Sequence, residues 1–131
     1  GPYTAAVNSY LRTELGFEDD KEYEILSGIV NRNWNWDIQR QRTGYINVAE
    51  NMRKAMAADP HLKVFVANGY YDIATPFFAT EYTMDHLQLE PHLKGNIDMQ
   101  YYEAGHMMYV NPDSLVKLKE DLERFINDLN R

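Results

Sequence analysis

The sequence predicts an α/β protein in which parallel strands are flanked by helices and the sheet is incomplete. The run Val64-Phe65-Val66-Ala67 is apolar at every position, as in a strand covered on both faces. A helical segment, a second strand at 97–103 and a last helix follow, which is the order that builds a parallel sheet by crossover. Because two parallel strands are not stable alone, we expect neighbouring strands to come from sequence beyond these 131 residues.

Composition and charge exclude several classes of function. With a formal net charge of −7, the chain has no basic face for phosphates, so we expect no nucleic-acid partner. No apolar run exceeds four residues, so we expect no membrane span and no signal peptide in this window. The absence of cysteine excludes disulfides, thiol nucleophiles and thiolate metal sites. The compartment stays open.

The first predicted element is a helix over 3–15. Gly16 ends it in the left-handed conformation. Residues 23–26 are either a short strand or an extended pass. The apolar face of the first helix is formed by residues spaced three and four apart: Tyr3, Ala6, Val7, Tyr10, Leu11 and Leu15.

The segment 27–43 has no usable periodicity. Asparagines alternate in it with Trp34 and Trp36, and three arginines surround them: Arg32, Arg40 and Arg42. One interpretation is the rim of a substrate pocket with aromatic walls, and the other is an irregular loop whose indoles fill a gap in the core. We divide the chain here, into 1–43 and 44–131, the second of which carries the predicted strands.

Three further helices are predicted in the second part. The first covers 45–58 and ends at Asp59-Pro60. The next begins at Thr75 as N-cap with Pro76 in its first position, and runs to about residue 87. The last is capped by Asn111. Its inward stripe is predicted to consist of Leu115, Leu118, Leu122, Phe125, Ile126 and Leu129, with the pairs Lys117–Asp121 and Lys119–Glu123 on the wet face.

An acid and a histidine follow the two predicted strands. A turn at Asn68-Gly69 leads to Asp72, and a second glycine turn after 97–103 leads to His106. The carboxyl ends of adjacent parallel strands meet at one edge of a sheet, which is where a catalytic Asp–His pair is mounted. We therefore expect the Asp72 carboxylate to lie about 2.6–3.2 Å from a ring nitrogen of His106.

These segments resemble the serine carboxypeptidases, an α/β-hydrolase family. Gly69 and Asp72 match the G-x-x-D pattern of the family's triad acid, and Ala104-Gly105-His106-Met107 matches its A-G-H-M histidine motif. The order, acid and then histidine, is the one that α/β-hydrolases use after their serine. The cysteine-free, tyrosine-rich form is similar to the bacterial branch. The resemblance thus implies the C-terminal part of an α/β-hydrolase fold, with 1–43 as the end of the family's variable insert and its return segment and 44–131 as the segment that carries the acid and histidine loops. For the full-length parent it favours a secreted or periplasmic location.

The resemblance implies a function. Asp72 would orient His106, the general base, in a Ser–His–Asp triad that hydrolyses the C-terminal peptide bond of a peptide substrate. Met107 would form a wall of the pocket for the leaving residue. Tyr70 and Tyr109 stand where the family often has an acidic residue and a proline, and would change that pocket. No metal and no organic cofactor is implied.

The nucleophile of such a triad is missing. The chain contains only Ser9, Ser27 and Ser114, and none of them lies in a strand-to-helix elbow of the G-x-S-x-G type. We therefore expect the missing N-terminal half of a hydrolase, or self-association, to complete the sheet, and expect the fragment alone to be inactive.

Other interpretations stay open at this point. Asp72 could only satisfy turn amides or help cap the helix at Thr75, and His106 could be a loop histidine bonded to a carbonyl. The enzyme could be another α/β-hydrolase, such as an esterase or acyltransferase. The chain could also be a non-catalytic module that binds a peptide or partner. His86 and His92, near Asp85 and Glu81, fit no common metal-ligand spacing.

Overall fold

The computed structural model of the protein describes residues 1–21, 23–35 and 47–128. The chain forms two compact units, Gly1–Ile46 and Asn47–Arg131. Several residues discussed above lie outside the described ranges: Trp36, Arg40, Arg42, Tyr45 and Leu129.

The first unit is helical in its described part. Helix α1, Pro2–Ser9, continues into a π-helical turn, Tyr10–Glu14, so the single α-helix predicted over 3–15 is wrong in its second half. Gly16 follows with φ +60°, as predicted. Residues 23–26 form no strand. None of the described residues of this unit is buried, so the predicted apolar face of the first helix does not pack into a core.

A second helix in this unit was not predicted. Helix α2, Gly28–Asn33, begins after Ser27, whose Oγ accepts a hydrogen bond from the Val30 amide at 3.2 Å. A serine before a helix is a common N-cap, so Ser27 was the available signal. The isoleucine, valine and asparagines that follow it have no apolar period, and this concealed the helix.

The second unit contains the sheet and three helices. Helix α3 is Ala49–Ala58, strand β1 is Val64–Gly69, helix α4 is Phe77–Asp85, strand β2 is Ile97–Tyr102 and helix α5 is Pro112–Asp128. A short 3₁₀ turn, Lys94–Asn96, directly precedes β2. A second one, Met108–Val110, follows the loop that comes after β2.

The two strands pair in parallel, which confirms the predicted α/β class with a parallel arrangement. In the register, Val64 lies opposite Ile97 and Gly69 opposite Tyr102. Strand β1 extends through Asn68 and Gly69, so the turn predicted at these two residues is wrong, and the chain turns one step later. The described residues form a sheet of two strands only.

The apolar core lies on one face of the sheet. Its centre is formed by residues from α3 and from the connection between α4 and β2: Met56, Leu87, Leu89 and Leu93. Val64 and Ile97, which are paired across the strands, pack against this cluster. On the same face the Tyr101 hydroxyl donates to Glu81 of α4 at 2.7 Å, and burial, followed by this hydrogen bond, raises the pKa of Tyr101 to about 12.

Helix α5 covers the opposite face of the sheet through a largely polar contact. Phe125 meets Phe65 of β1 with ring centroids 5.4 Å apart. The hydroxyl of the fully buried Tyr102 donates to Asp121 at 3.0 Å. Asp121 also accepts hydrogen bonds from Lys117 and Arg124, each at 2.7 Å.

The predicted inward stripe of α5 is therefore wrong over much of its length. Leu115, Leu122 and Ile126 are 48%, 37% and 55% exposed, whereas Ser114 and Asp121 are buried. The face of the sheet that contacts α5 carries polar side chains, and these form hydrogen bonds with charged residues of the helix. The charged side of α5 therefore faces the sheet. The α5 apolar face, which we define as Leu115, Leu118, Leu122 and Ile126, lines an open groove of about 580 Å³.

Within the described ranges, no helix has both the length and the apolar character needed to cross a membrane.

Candidate active site

Asp72 follows strand β1 in a tight turn. The Asp72 amide donates to the Gly69 carbonyl at 3.1 Å, which reverses the chain directly after the strand. The Tyr71 amide donates to the Ala104 carbonyl at 3.0 Å. This second bond joins the acid turn to the loop that follows β2, because the two parallel strands end at the same edge of the sheet.

Gly69 allows the two loops to approach each other. A Cβ atom at this position would lie 2.5 Å from the Gly105 carbonyl oxygen and 2.6 Å from the Ala104 carbonyl oxygen. Real Cβ atoms do not come so close to backbone oxygens, so any other residue at position 69 would push the loops apart. The glycine of the G-x-x-D pattern is thus explained by a close backbone crossing.

The Asp72 carboxylate is buried and fully engaged. Its Oδ1 accepts from the amides of Ala74 at 2.8 Å and Thr75 at 2.9 Å. Its Oδ2 accepts from the Thr75 hydroxyl at 2.6 Å and from Nδ1 of His106 at 2.8 Å. These bonds, those from Thr75 first, hold the pKa of Asp72 well below its usual range. The acid is therefore ionised at neutral pH and can only accept hydrogen bonds.

Thr75 has a different role from the one predicted. The N-cap of α4 is Pro76, and no side chain caps this helix. The Thr75 hydroxyl turns back to Asp72 instead, so the prediction of Thr75 as a helix cap is wrong. The hydroxyl donates to the ionised carboxylate at 2.6 Å, and hydrogen bonds to a charged acceptor are stronger than those between neutral groups.

One ring nitrogen of His106 is hydrogen-bonded, and the rest of the imidazole is exposed to solvent. Its hydrogen bonds to described residues involve Nδ1: Asp72 Oδ2 at 2.8 Å and, at the limit of hydrogen bonding, Thr75 Oγ1 at 3.4 Å. Because Asp72 only accepts, the neutral ring carries its proton on Nδ1 and leaves a lone pair on Nε2. The His106 side chain is 63% exposed, compared with 5% for that of Asp72. A reacting group can therefore reach the ring.

The predicted distance between Asp72 and His106 is thus met. One of the two simple interpretations of Asp72 also holds, because it satisfies turn amides in addition to binding the histidine. The other is wrong, because no side chain caps helix α4. The hydrogen bond joins residues 34 positions apart in the sequence, which a local turn or cap would not require.

The other predicted site residues lie around the pair. The Tyr70 ring stacks on Tyr101 with centroids 5.5 Å apart and meets Phe77 edge-on at 5.4 Å, so it belongs to an aromatic cluster between the strands and α4. Met107 directly follows His106 and is partly exposed. Tyr109 lies exposed in the 3₁₀ turn Met108–Val110.

Two contacts at the site were not predicted. The first is the Thr75–Asp72 hydrogen bond, and the spacing of an aspartate three residues before a threonine was its available signal. The second is a short hydrogen bond from the Tyr71 hydroxyl to Glu103, which raises the pKa of Tyr71. It joins the two loops a second time, by side chains, and no local pattern announces it because its partners are distant in sequence.

The described serines occupy structural positions. Ser27 caps α2, Ser9 ends α1, and Ser114 is buried in the first turn of α5, where its amide donates to Asn111 at 3.0 Å. In the part of the chain that the structure describes, no three histidine, cysteine or acidic residues converge as metal ligands do. His86 instead bonds through Nδ1 to the Tyr82 carbonyl at 2.7 Å.

The arrangement is that of a buried, ionised acid which orients an accessible imidazole. Such a pair can remove a proton from a hydroxyl or water and return it to a leaving group. No protein-family model, curated protein or solved structure matches this chain.

Proposed function

We propose that Asp72 and His106 are the acid and the general base of a Ser–His–Asp triad in a serine-type carboxypeptidase of the α/β-hydrolase fold. The observation that carries the proposal is the 2.8 Å bond from His106 Nδ1 to a buried carboxylate with three further hydrogen bonds. A carboxylate that served only the turn would not need a histidine from the neighbouring strand.

The chemistry follows from the proton positions. Nε2 of His106 takes the proton of a serine hydroxyl as the oxygen attacks the last peptide bond of the substrate. The imidazolium that results is stabilised by Asp72, and then gives its proton to the leaving amine. In the second half of the reaction, His106 removes a proton from water, which attacks the acyl-enzyme. His106 then gives that proton to the serine oxygen as the bond between serine and acyl group breaks and the shortened peptide is released.

The serine in this proposal is supplied by polypeptide other than residues 1–131. Ser114 is buried, Ser27 is engaged in a helix cap and Ser9 lies in helix α1, so none of the three occupies a strand-to-helix elbow. The oxyanion-hole amides would come from the same additional polypeptide, as would strands that extend the two-stranded sheet. Met107, beside His106, would contact the side chain of the leaving residue.

The proposal is tested with the full-length product of the gene that encodes this chain. The assay measures release of the C-terminal amino acid from N-blocked dipeptides. We expect His106→Ala to lower kcat by several orders of magnitude and Asp72→Asn by roughly 10³- to 10⁴-fold, with the fold retained. Met107→Ala should change kcat/KM unevenly across leaving residues, because it alters only the pocket.

Two other outcomes would replace this function. Hydrolysis of acyl esters without release from blocked dipeptides, still dependent on His106, would indicate an esterase or acyltransferase. Full activity after His106→Ala, or no activity on any acyl substrate together with peptide binding, would indicate a binding module. A serine-directed fluorophosphonate label should be incorporated by the full-length protein and not by residues 1–131 alone.

A further inference from the structure

We propose that Thr75 is a positioning residue which holds the Asp72 carboxylate so that His106 is kept in the Nδ1–H tautomer. Its catalytic meaning rests on the proposed function, whereas its effect on the histidine can be measured in this chain directly. The inference concerns the Thr75 hydroxyl, which acts through Asp72 and His106 and need not touch substrate.

The hydroxyl has a choice of partners, and the distances show which one it takes. Thr75 Oγ1 lies 2.6 Å from Asp72 Oδ2 and 3.4 Å from His106 Nδ1. A hydroxyl has one proton, and the ionised carboxylate receives it at the shorter distance. If that proton went to Nδ1 instead, the ring would have to carry its own proton on Nε2, which is the wrong tautomer for a general base.

The carboxylate is held at both oxygens. The amides of Ala74 and Thr75 occupy Oδ1, so a rotation of the Asp72 side chain would break two hydrogen bonds. The Thr75 hydroxyl occupies one lone pair of Oδ2 and leaves the other for His106. Residue 75 thus supplies both an amide and a hydroxyl to the same carboxylate, one to each oxygen.

The Thr75 hydroxyl binds the acid and does not cap the helix that follows. Threonine is one of the residues preferred as a helix N-cap, where its oxygen accepts a hydrogen bond from an amide of the first turn. Helix α4 has no side-chain cap, although Thr75 immediately precedes its N-cap residue. A hydroxyl diverted from a helix end to a buried acid is consistent with a role in the site.

The test compares Thr75→Val, which removes the hydroxyl at nearly constant shape, with Thr75→Ser, which keeps it. The readout in residues 1–131 is the NMR signal of the His106 Nδ1 proton and the ¹⁵N shifts of its ring, at a pH where all four histidines are neutral. We expect Thr75→Val to make the Nδ1 proton exchange with water about fivefold faster or more, as loss of one ordinary hydrogen bond predicts, and to raise the Nε2–H population. Thr75→Ser should restore the wild-type signals.

A matched control separates this role from general stability. Thr83 lies in α4, and its hydroxyl donates to the Ala79 carbonyl at 2.8 Å. Thr83→Val removes a threonine hydroxyl from the helix that follows Thr75, and should leave the His106 signals unchanged. If Thr75→Val unfolds the chain, Thr75→Ala and Thr75→Ser provide the same comparison. Equal effects of Thr83→Val and Thr75→Val, or no effect of Thr75→Val, would overturn the proposal.

The full-length protein then distinguishes this inference from the proposed function. There, Thr75→Val should lower kcat about 10- to 100-fold with little change in KM, the range seen when outer partners of functional residues are removed. An altered His106 signal in a protein without acyl-hydrolase activity would retain the positioning role and reject the carboxypeptidase. Peptidase activity that depends on His106 but does not change with Thr75→Val would support the carboxypeptidase and reject the positioning role of Thr75.

Discussion

Gly69 and Thr75 determine the geometry of the Asp72–His106 pair in two different ways. Gly69 contributes by the absence of a side chain, since the carbonyl oxygens of Ala104 and Gly105 occupy the space of its Cβ. Thr75 contributes a hydroxyl and an amide to the carboxylate. Neither residue would perform proton transfer, yet the distance and the orientation of the pair depend on both.

At the residue scale, we predict that Gly69→Ala destabilises the second unit by about 1–3 kcal/mol, the usual cost of overpacking. The backbone must move to accommodate the methyl group, and this weakens the Tyr71–Ala104 hydrogen bond. Urea unfolding followed by circular dichroism measures the loss. Gly95→Ala is the control: nothing lies within 4 Å of its Cβ position, so it should change stability by less than about 0.5 kcal/mol. Equal effects of the two changes would refute the steric argument.

At the scale of elements, the contact between β2 and α5 depends on a polar cluster. Burial, followed by the bond to Asp121, raises the pKa of Tyr102, so its hydroxyl stays a donor. Although burial opposes it, hydrogen bonds from Lys117 and Arg124 lower the pKa of Asp121. The contact between α5 and the sheet is therefore made by the Asp121 carboxylate, where the sequence pattern predicted leucine side chains.

We predict that Asp121→Leu destabilises the fold by about 1–3 kcal/mol, because the buried Tyr102 hydroxyl loses its partner. Adding Tyr102→Phe should recover part of that loss, since both polar partners are then gone. Glu123→Ala is the control on the same helix: its ion pair with Lys119 is 3.7 Å long and solvent-exposed, and should contribute less than about 0.5 kcal/mol. Additive costs of the Asp121 and Tyr102 changes would argue against the coupling.

The sequence predicted the elements better than their faces. The apolar run of β1, the crossover order and the cap of α5 at Asn111 all depend on local patterns, and they are present. The period of α5 correctly indicates an amphipathic helix. Which side faces the sheet, however, depends on Asp98, Gln100 and Tyr102 of another element, and no period within α5 contains that information.

The candidate site divides in the same way. Asp72 and His106 could be paired from the sequence, because parallel strands bring their carboxyl ends together and each residue closely follows a glycine near the end of its strand. The partner of Thr75 could not, because capping a helix and binding an aspartate three residues earlier are both local options for a threonine. As a cap the hydroxyl would accept a hydrogen bond from a helix amide, whereas here it donates one to Asp72, and only the three-dimensional structure shows which bond forms.

At the scale of the whole molecule, acid should weaken the fold. Hydrogen bonds from Thr75 and Arg53 lower the pKa values of Asp72 and Glu50, the latter to about 2, and Asp121 is lowered as well. Above about pH 5 these carboxyl groups are ionised in both the folded and the unfolded chain, so they do not make the free energy of unfolding depend on pH. Below about pH 4 these carboxyl groups are protonated in the unfolded chain but still ionised in the folded chain. The free energy of unfolding therefore decreases as the pH falls. Urea midpoints at several pH values measure this, and a midpoint that rises between pH 4.5 and 3 would contradict it.

The α5 apolar face should also determine how the chain behaves in solution. We predict that Leu122→Lys combined with Ile126→Glu reduces self-association and binding of an apolar dye, because large exposed apolar surfaces promote both. The unfolding free energy should change by less than about 1 kcal/mol, since both side chains are already exposed. Analytical ultracentrifugation gives the association state. Val116→Lys, which changes an exposed residue of α5 outside that face, should leave association unaltered.

The contact between the acid turn and the histidine loop also has a kinetic consequence. The hydrogen bond between Tyr71 and Ala104 closes the whole connection at 70–96, beside the paired ends of the parallel strands. Closing such a non-local contact costs chain entropy before any contact energy is gained, so parallel pairing is a late and slow event in folding. Partly folded chains would therefore hold Asp72 and His106 apart, and any chemistry that needs both would be confined to molecules that have completed folding.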